Sequence, residues 1–227
     1  SALLVFGASC TDDPASVEST TVEPTSSTEP VEPTSPSPST SPSTVTDSPS
    51  IGSALTDEEI AGLMWMREEE QLAHDVYVVL GELWNLRIFD NISSAETAHI
   101  EAVSGLLDLY GLDDPAAGND TGTFTDPALQ RLYDQLVEDG SRSLEAALEV
   151  GALIEELDIV DLVVRAAATD NPEISAVYAN LERGSRNHLR AFVSQLDSRG
   201  VTYTPTQLDP ATFDAIVSSD TERGSGS

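Results

Sequence analysis

A carboxylate and an imidazole three residues apart, Glu96 and His99, form the most informative pair in this chain. Residues at this spacing share one face of an α-helix, so a single metal ion can contact both side chains. Two other interpretations remain open. Ser93 lies three residues before Glu96, so Glu96 could belong to an N-terminal capping box, and His99 could be a hydrogen-bonded core histidine. The pair therefore indicates a metal site only if other ligands join it.

Two more segments place a carboxylate on an apolar helical stripe. Glu70 falls between Met66 and Ala73, where an unpaired carboxylate would be costly, so this side chain binds a cation, is paired, or turns outward. Farther along the chain, Glu155 and Asp158 are three residues apart on one stripe. Carboxylates that share an apolar groove repel each other unless a proton or a cation lies between them. Both segments therefore favour a metal site.

The choice of ligands leaves one alternative open. Glu156 can replace Glu155 as the inward carboxylate, because the phase of this helical stripe is uncertain by one residue. A fourth stripe offers His188, four residues before Phe192. The candidate metal ligands are thus Glu70, Glu96, His99, Glu155, Asp158 and His188.

Four long helices must position these ligands, and the sequence marks where the first two begin and end. Thr56 and Glu59 form a capping-box pattern at the start of the first helix. After a connection over 85–91, Ser93 is predicted to open the second helix, which ends at Gly111. A long crossover over 112–142 then follows.

The crossover contains one short predicted helix that ends at Gly140. Ser143 caps the third long helix, and Pro172 occupies the first turn of the fourth, which ends at Gly200. Two short connections around one long crossover are typical of ferritin-like bundles rather than of simple up-and-down bundles. The sequence therefore predicts an all-α, ferritin-like four-helix bundle with a long crossover between helices two and three.

Composition sets the limits of this bundle. From 11 to 53 the chain is mostly Ser, Thr, Pro and Glu, and eight of the 13 prolines lie there, so this stretch cannot bury enough apolar surface to offset its ordering entropy. We therefore predict a disordered linker over 11–55, the bundle over 56–200 and a C-terminal tail over 201–227.

The net charge of −30, with only arginines as basic residues, argues against a nucleic-acid partner, since phosphate binding requires a basic face.

The N-terminal residues 1–10 are an apolar run, then small residues, then the single cysteine, Cys10. This pattern resembles the end of a bacterial lipoprotein signal peptide, whose cleavage would leave Cys10 as the site of lipid attachment. A chance apolar start followed by a free thiol is the alternative. The resemblance predicts a secreted or cell-surface protein that a lipid anchors to the outer face of a membrane.

On the first helix, Glu70, Ala73 and Tyr77 match the pattern of the rubrerythrin and ferritin-like families, and Glu96 with His99 matches their E-x-x-H motif. The chain resembles these families, whose members hold two metal ions between Glu, Asp and His. More specifically, it resembles ferritin-like proteins of the domain-of-unknown-function 2202 family. The segments that carry this second resemblance are 66–73, 89–92, 150–159 and 184–192.

The resemblance fails at one position of the fourth helix. The families have a second E-x-x-H there, whereas this chain has Ser185 three residues before His188. Glu182 lies too far round the helix to replace the missing carboxylate. The comparison with the families therefore favours a single ion, or two ions with an open coordination position. By the same logic, Ser185→Glu is expected to raise metal occupancy.

These observations predict a protein that binds one or two ions of iron or manganese, with zinc as a further candidate, because carboxylate-rich ligation with histidine suits iron and manganese better. Redox activity toward O₂ or peroxide is one hypothesis. A metal-sequestering module without catalysis and a metal-free structural or interaction bundle are the alternatives. The partners that this interpretation allows are metal ions, a membrane contacted through the lipid anchor only, and a second copy of the chain in a homodimer.

Overall fold

The computed structural model describes residues 54–224 and folds them into six α-helices, with no β-strand in that range. None of these helices is both long and apolar enough to cross a membrane. The prediction of an all-α chain is confirmed for these residues, whereas Cys10 and nearly all of the predicted linker lie outside them. The helices are α1 (Asp57–Trp84), α2 (Arg87–Tyr110), α3 (Pro127–Gly140), α4 (Leu144–Ala167), α5 (Pro172–Asp197) and α6 (Pro210–Val217).

Local sequence signals account for most helix ends. The Thr56 hydroxyl accepts the backbone N–H of Glu59, whose carboxylate accepts the backbone N–H of Thr56, so the predicted capping box is confirmed. Asn171 caps α5 through its side-chain oxygen, which accepts the backbone N–H groups of Glu173 and Ile174, and Pro172 lies in the first turn. Ser143 likewise caps α4 through the backbone N–H of Ala146. These caps fix where α1, α4 and α5 begin.

The start of α2 differs from the prediction. The helix begins at Arg87, without a side-chain cap, instead of at Ser93. Phe89 and Ile92 are buried in the apolar core, so tertiary packing extends the helix toward its N-terminus despite the missing cap. Glu96 therefore lies inside the helix and does not serve as a cap.

The four long helices surround a common interior. α1 packs along α2 and α4 packs along α5, while α1 also contacts α4 and α2 also contacts α5. The short helix α3 lies in the crossover and packs on α1 and α4, and α6 packs on α5. Side chains that point inward from α1, α2, α4 and α5 can therefore meet.

Buried charged side chains of α1 fix the crossover in place. Glu68 accepts the backbone N–H groups of Thr125 and Asp126, the second at 3.0 Å. Arg67 forms an ion pair with Asp114 at 3.0 Å, although its side chain is only 8% exposed. Glu68 and Arg67 thus have structural partners outside the helical interior, which explains their burial.

A buried carboxylate of α4 holds the segment that follows α5. Glu156 is fully buried, and it accepts hydrogen bonds from Tyr203 Oη at 2.5 Å and from the backbone N–H groups of Thr206, Gln207 and Leu208 at 2.8–3.2 Å. The predicted C-terminal tail over 201–227 therefore begins with an anchored segment and contains α6.

Glu156→Gln should destabilise the fold, because the amide nitrogen of glutamine would face hydrogen-bond donors and leave them without an acceptor. A buried donor without a partner costs about 1–3 kcal/mol, so we expect the free energy of unfolding in urea to fall by about that amount. Glu149→Gln, on an exposed position of the same helix, is the control. Equal stability of the two variants would contradict the anchoring role of Glu156.

Candidate metal centre

A layer of charged side chains divides the interior into two apolar clusters. The first cluster contains Tyr77, Phe89 and Phe192, and the second contains Met66 and Tyr178 among others. Each of the four long helices contributes to both clusters, and each carries polar residues between them. On α1, Glu69 is also buried there and accepts a hydrogen bond from the Trp65 indole at 3.0 Å. The candidate ligands and Ser185 are the others of interest: Glu70 on α1, Glu96 and His99 on α2, Glu155 and Asp158 on α4, and Ser185 and His188 on α5.

Glu96 lies at the centre of this layer and contacts both histidines. Its Oε2 lies 2.7 Å from Nδ1 of His99, and its Oε1 lies 2.9 Å from Nδ1 of His188. The two imidazole rings stack with their centroids 5.6 Å apart. One carboxylate therefore connects two imidazoles that come from different helices.

The other two glutamates flank the histidines. Oε2 of Glu70 lies 3.2 Å from Nδ1 of His99, and Oε2 of Glu155 lies 3.5 Å from Nδ1 of His188. The Tyr77 hydroxyl donates a hydrogen bond of 2.6 Å to Oε1 of Glu155 and thereby orients this carboxylate. Tyr77 packs against Phe192 as well, so this residue both fills the core and orients a candidate ligand.

These five residues form two groups of three that share Glu96. Glu70, Glu96 and His99 make up the first group, and Glu96, Glu155 and His188 make up the second. Within each group, one ligand atom per residue lies within 4.8 Å of the others. Each group therefore offers two carboxylates and one imidazole, a donor set that a divalent cation can use.

Asp158 is buried beside these groups but belongs to neither of them. Its Oδ2 accepts a hydrogen bond from the Ser185 hydroxyl, which also lies 2.9 Å from the carbonyl oxygen of Leu181. The structure thus brings all six candidate ligands to one layer, and it groups five of them. The structure also decides between Glu155 and Glu156 on α4, because Glu155 faces this layer whereas Glu156 faces the segment after α5.

The charges of the layer strongly affect one another. Burial would raise the pKa of Glu96, but the imidazoles of His188 and His99 outweigh burial and hold this pKa below its usual range. Burial raises the pKa of Glu70 to about 7 despite the nearby His99. For the histidines, burial favours the neutral form, yet the neighbouring carboxylates raise the pKa of His99 to about 12 and that of His188 to about 10. The carboxylates thus stabilise cations between them.

Two buried carboxylate oxygens of the layer have no hydrogen-bond partner among the described residues, Oε1 of Glu70 and Oδ1 of Asp158. Glu70 is 2% exposed and Asp158 is 6% exposed, so bulk water does not readily solvate these atoms. A buried acceptor without a partner is destabilising, and a bound metal ion would satisfy it. The residues of the layer therefore fit a cation in both charge and donor type.

Without metal, the protein should become less stable as the pH rises. The folded-state pKa values of His99 and His188, about 12 and about 10, exceed the roughly 6.5 of a free histidine. Their stabilising contribution is therefore complete below about pH 6.5 and is lost as the pH rises through these folded-state values.

Metal binding requires neutral imidazoles and ionised carboxylates, so at pH 7 it should release roughly one proton per histidine and a further fraction of a proton from Glu70, whose pKa is about 7. Calorimetric titration with Mn²⁺ in buffers of different ionisation enthalpy measures this release. A binding enthalpy that does not depend on the buffer would contradict the expected protonation state of the two histidines.

Two glycines, which the ligand pattern did not identify, leave room for side chains in or beside the layer. A Cβ on Gly184 would lie 2.6 Å from Cε1 of His99, and a Cβ on Gly151 would lie 2.5 Å from Cζ of Phe192. Both glycines sit inside long helices, where glycine is unfavourable by up to about 1 kcal/mol relative to alanine. A glycine inside a predicted helix can be recognised from the sequence, and it often marks the close approach of another side chain.

Comparison with known proteins assigns the chain to a family. Residues 59–220 match the family model described as "Uncharacterized protein domain (DUF2202)". The uncharacterized protein MJ0754 of Methanocaldococcus jannaschii is 48% identical over 170 residues, which cover 75% of this chain and 92% of that protein. The crystal structure of the hypothetical protein MJ0754 superposes with a TM-score of 0.74 at 46% identity, over 75% of this chain and 98% of that one. The chain therefore belongs to the DUF2202 family, as the resemblance in its sequence predicted.

Proposed function

We propose that this protein is a ferritin-like four-helix bundle that binds two divalent metal ions, iron or manganese in preference to zinc. The observation that carries the proposal is Glu96, whose two oxygens each contact a different histidine. Each histidine belongs to a separate group of three possible ligands. A carboxylate shared between two such groups supports two neighbouring ions: Glu70 and His99 would hold one, and Glu155 and His188 would hold the other.

The balance of charge supports the same number of ions. Glu70, Glu96, Glu155 and Asp158 are all buried, so their four negative charges equal the positive charge of two divalent cations when the histidines are neutral. Without metal, two imidazolium ions balance two of these charges, and burial raises the pKa values of Glu70 and Asp158, which favours their protonated forms. Two divalent ions balance all four carboxylates with neutral histidines, whereas one ion would leave two carboxyl groups protonated or without a partner. The charge balance therefore supports two ions.

The donor set supports iron or manganese, because most of the ligand atoms are carboxylate oxygens and the remainder are imidazole nitrogens. A bound ion of either metal would supply redox chemistry toward O₂ or peroxide. The chain contributes the surroundings: Tyr77 donates a hydrogen bond to Glu155, and apolar clusters lie on both sides of the layer.

Titration of the metal-free protein with Mn²⁺, followed by electron paramagnetic resonance, tests the proposal. We expect two equivalents to bind, because each group of ligands holds one ion. Binding of no Mn²⁺, Fe²⁺ or Zn²⁺ would overturn the proposal and favour a metal-free structural bundle. Oxygen or peroxide consumption by the iron-loaded protein with an added reductant separates a redox enzyme from a metal-sequestering module.

We also propose that Cys10 carries a lipid and holds the helical part outside the cell. The support is the sequence before it: an apolar run and small residues precede the single cysteine, and a Ser, Thr and Pro-rich stretch follows. A chain of 45 residues of this kind would reach roughly 35–40 Å if it were flexible, which is enough to keep the helices clear of the membrane surface.

Cys10→Ser should release the protein from the membrane fraction into the medium, because the serine cannot accept the lipid. Immunoblotting of the separated fractions measures the distribution, and Ser9→Ala is a neighbouring control. A Cys10→Ser protein that stays with the membrane would exclude lipid attachment at this residue.

A further inference from the structure

The charged layer has one half from α1 and α2 and a second half from α4 and α5. The two halves differ in which helix carries the second carboxylate. On α2 the motif is Glu96-x-x-His99, but the corresponding motif on α5 has Ser185 in place of the glutamate. On α1 the residue three positions after Glu70 is alanine, but three positions after Glu155 on α4 it is Asp158. One half thus pairs a glutamate on α2 with an alanine on α1, and the other pairs a serine on α5 with an aspartate on α4.

Asp158 and Ser185 are in direct contact. The Ser185 hydroxyl donates its hydrogen bond to Oδ2 of Asp158, and Ser185 is 1% exposed. The other carboxylate oxygen, Oδ1, is buried and has no hydrogen-bond partner within residues 54–224. A hydrogen bond to one oxygen fixes the orientation of a carboxylate, which leaves the second oxygen free to bind a cation.

The contact with Ser185 gives the place of Asp158 in the layer. Ser185 lies three residues before His188, as Glu96 lies three residues before His99, so the two positions correspond on α5 and α2. From its position, Glu96 contacts both histidines. Asp158 reaches the corresponding position on α5 through its contact with Ser185, so its carboxylate lies where a second shared carboxylate is expected.

We infer that Asp158, oriented by Ser185, is a second carboxylate shared between the two ions and takes the place of the glutamate that α5 lacks. The ligand count of the site is then preserved, but one carboxylate comes from α4 instead of α5. This inference rests on the proposed function. It also alters one expectation from the sequence: Ser185→Glu alone would bring a fifth carboxylate against Asp158, and like charges in a buried site repel each other.

Asp158→Asn is the decisive variant. Asparagine has the same shape and keeps an oxygen that can accept the Ser185 hydrogen bond, but it lacks the negative charge. We expect the Kd for Mn²⁺ to rise at least about tenfold at both positions. Glu155→Gln, in contrast, should weaken only one of the two, because Glu155 belongs to one group.

Ser185 acts as a positioning residue, so its effect must pass through Asp158. Ser185→Ala is expected to weaken Mn²⁺ binding about tenfold in the wild-type background and to have no further effect when Asp158 is already asparagine. Ser194→Ala, on an exposed position of α5, is the matched control. A double variant with Asp158→Ala and Ser185→Glu should bind more tightly than Asp158→Asn, because it returns the carboxylate to α5.

Helical circular dichroism and unfolding in urea first establish that every variant is folded, and the Mn²⁺ titrations then decide. Two equivalents in the wild type and weakened binding of both in Asp158→Asn support the inference. Unchanged binding in Asp158→Asn, or a loss at one position only, overturns the shared role of Asp158 and leaves the proposed function intact. A wild type that binds no metal overturns the proposed function itself.

Discussion

Glu96→Gln is expected to abolish tight binding of both metal ions. Glu96 is the only residue that belongs to both groups of ligands within the described part of the chain, and its two oxygens lie 2.7 and 2.9 Å from the two histidines. Glutamine keeps the shape of the side chain, but it removes the charge and replaces one oxygen with a hydrogen-bond donor. We expect the affinity for each ion to fall at least about 100-fold.

Metal content after dialysis against Mn²⁺, measured by elemental analysis, gives the result directly. Glu101→Gln, an exposed carboxylate on the same helix, is the control and should retain both equivalents. Loss of only one equivalent in Glu96→Gln would show that the two groups do not share this carboxylate, and full occupancy would exclude Glu96 as a ligand.

Gly184→Ala should weaken the binding of one metal ion, although it changes none of the ligands. A methyl group at this position would lie 2.6 Å from Cε1 of His99, which is far inside van der Waals contact, and α2 and α5 pack against each other there. Extra volume in a packed interior typically costs about 1–3 kcal/mol. The displaced imidazole belongs to the first group only, so we expect about a tenfold or greater loss of affinity for that ion.

Gly105→Ala provides the matched control on α2, because a Cβ there would meet no atom within 4 Å. This variant should be as stable as the wild type or more stable, by up to about 1 kcal/mol, since alanine favours the helix over glycine. Calorimetric titration and thermal unfolding of both variants test the prediction. Equal metal affinity of Gly184→Ala and Gly105→Ala would contradict the close contact between His99 and Gly184.

Caps and periodicity in the sequence were sufficient to predict the four long helices, but not where α2 begins. Thr56, Ser143 and Asn171 act at short range on the first backbone N–H groups of a helix, so their patterns are visible locally. The start of α2 could not be predicted in this way. Its first turns are held by the burial of Phe89 and Ile92 against other helices, and such packing has no local signature.

The residues that could act as ligands were predictable from the sequence, but the contacts between them were not. A carboxylate or histidine on an apolar stripe stands out in the sequence, which is why Glu70, Glu96 and His188 could be named. The choice between Glu155 and Glu156 required the fold, because both are buried and only the position of the C-terminal segment separates them. The contact of Ser185 with Asp158 joins α5 to α4, and a single sequence does not reveal contacts of that kind.

The most direct test of the two-ion centre is a crystal structure of the Mn²⁺-loaded protein with anomalous scattering data. We predict two anomalous peaks, one within ordinary ligand distance, about 2.0–2.6 Å, of Glu70, Glu96 and His99, and the other at the same distance from Glu96, Glu155 and His188. Absence of both peaks from the interior, with manganese bound only to exposed acidic side chains, would contradict the account.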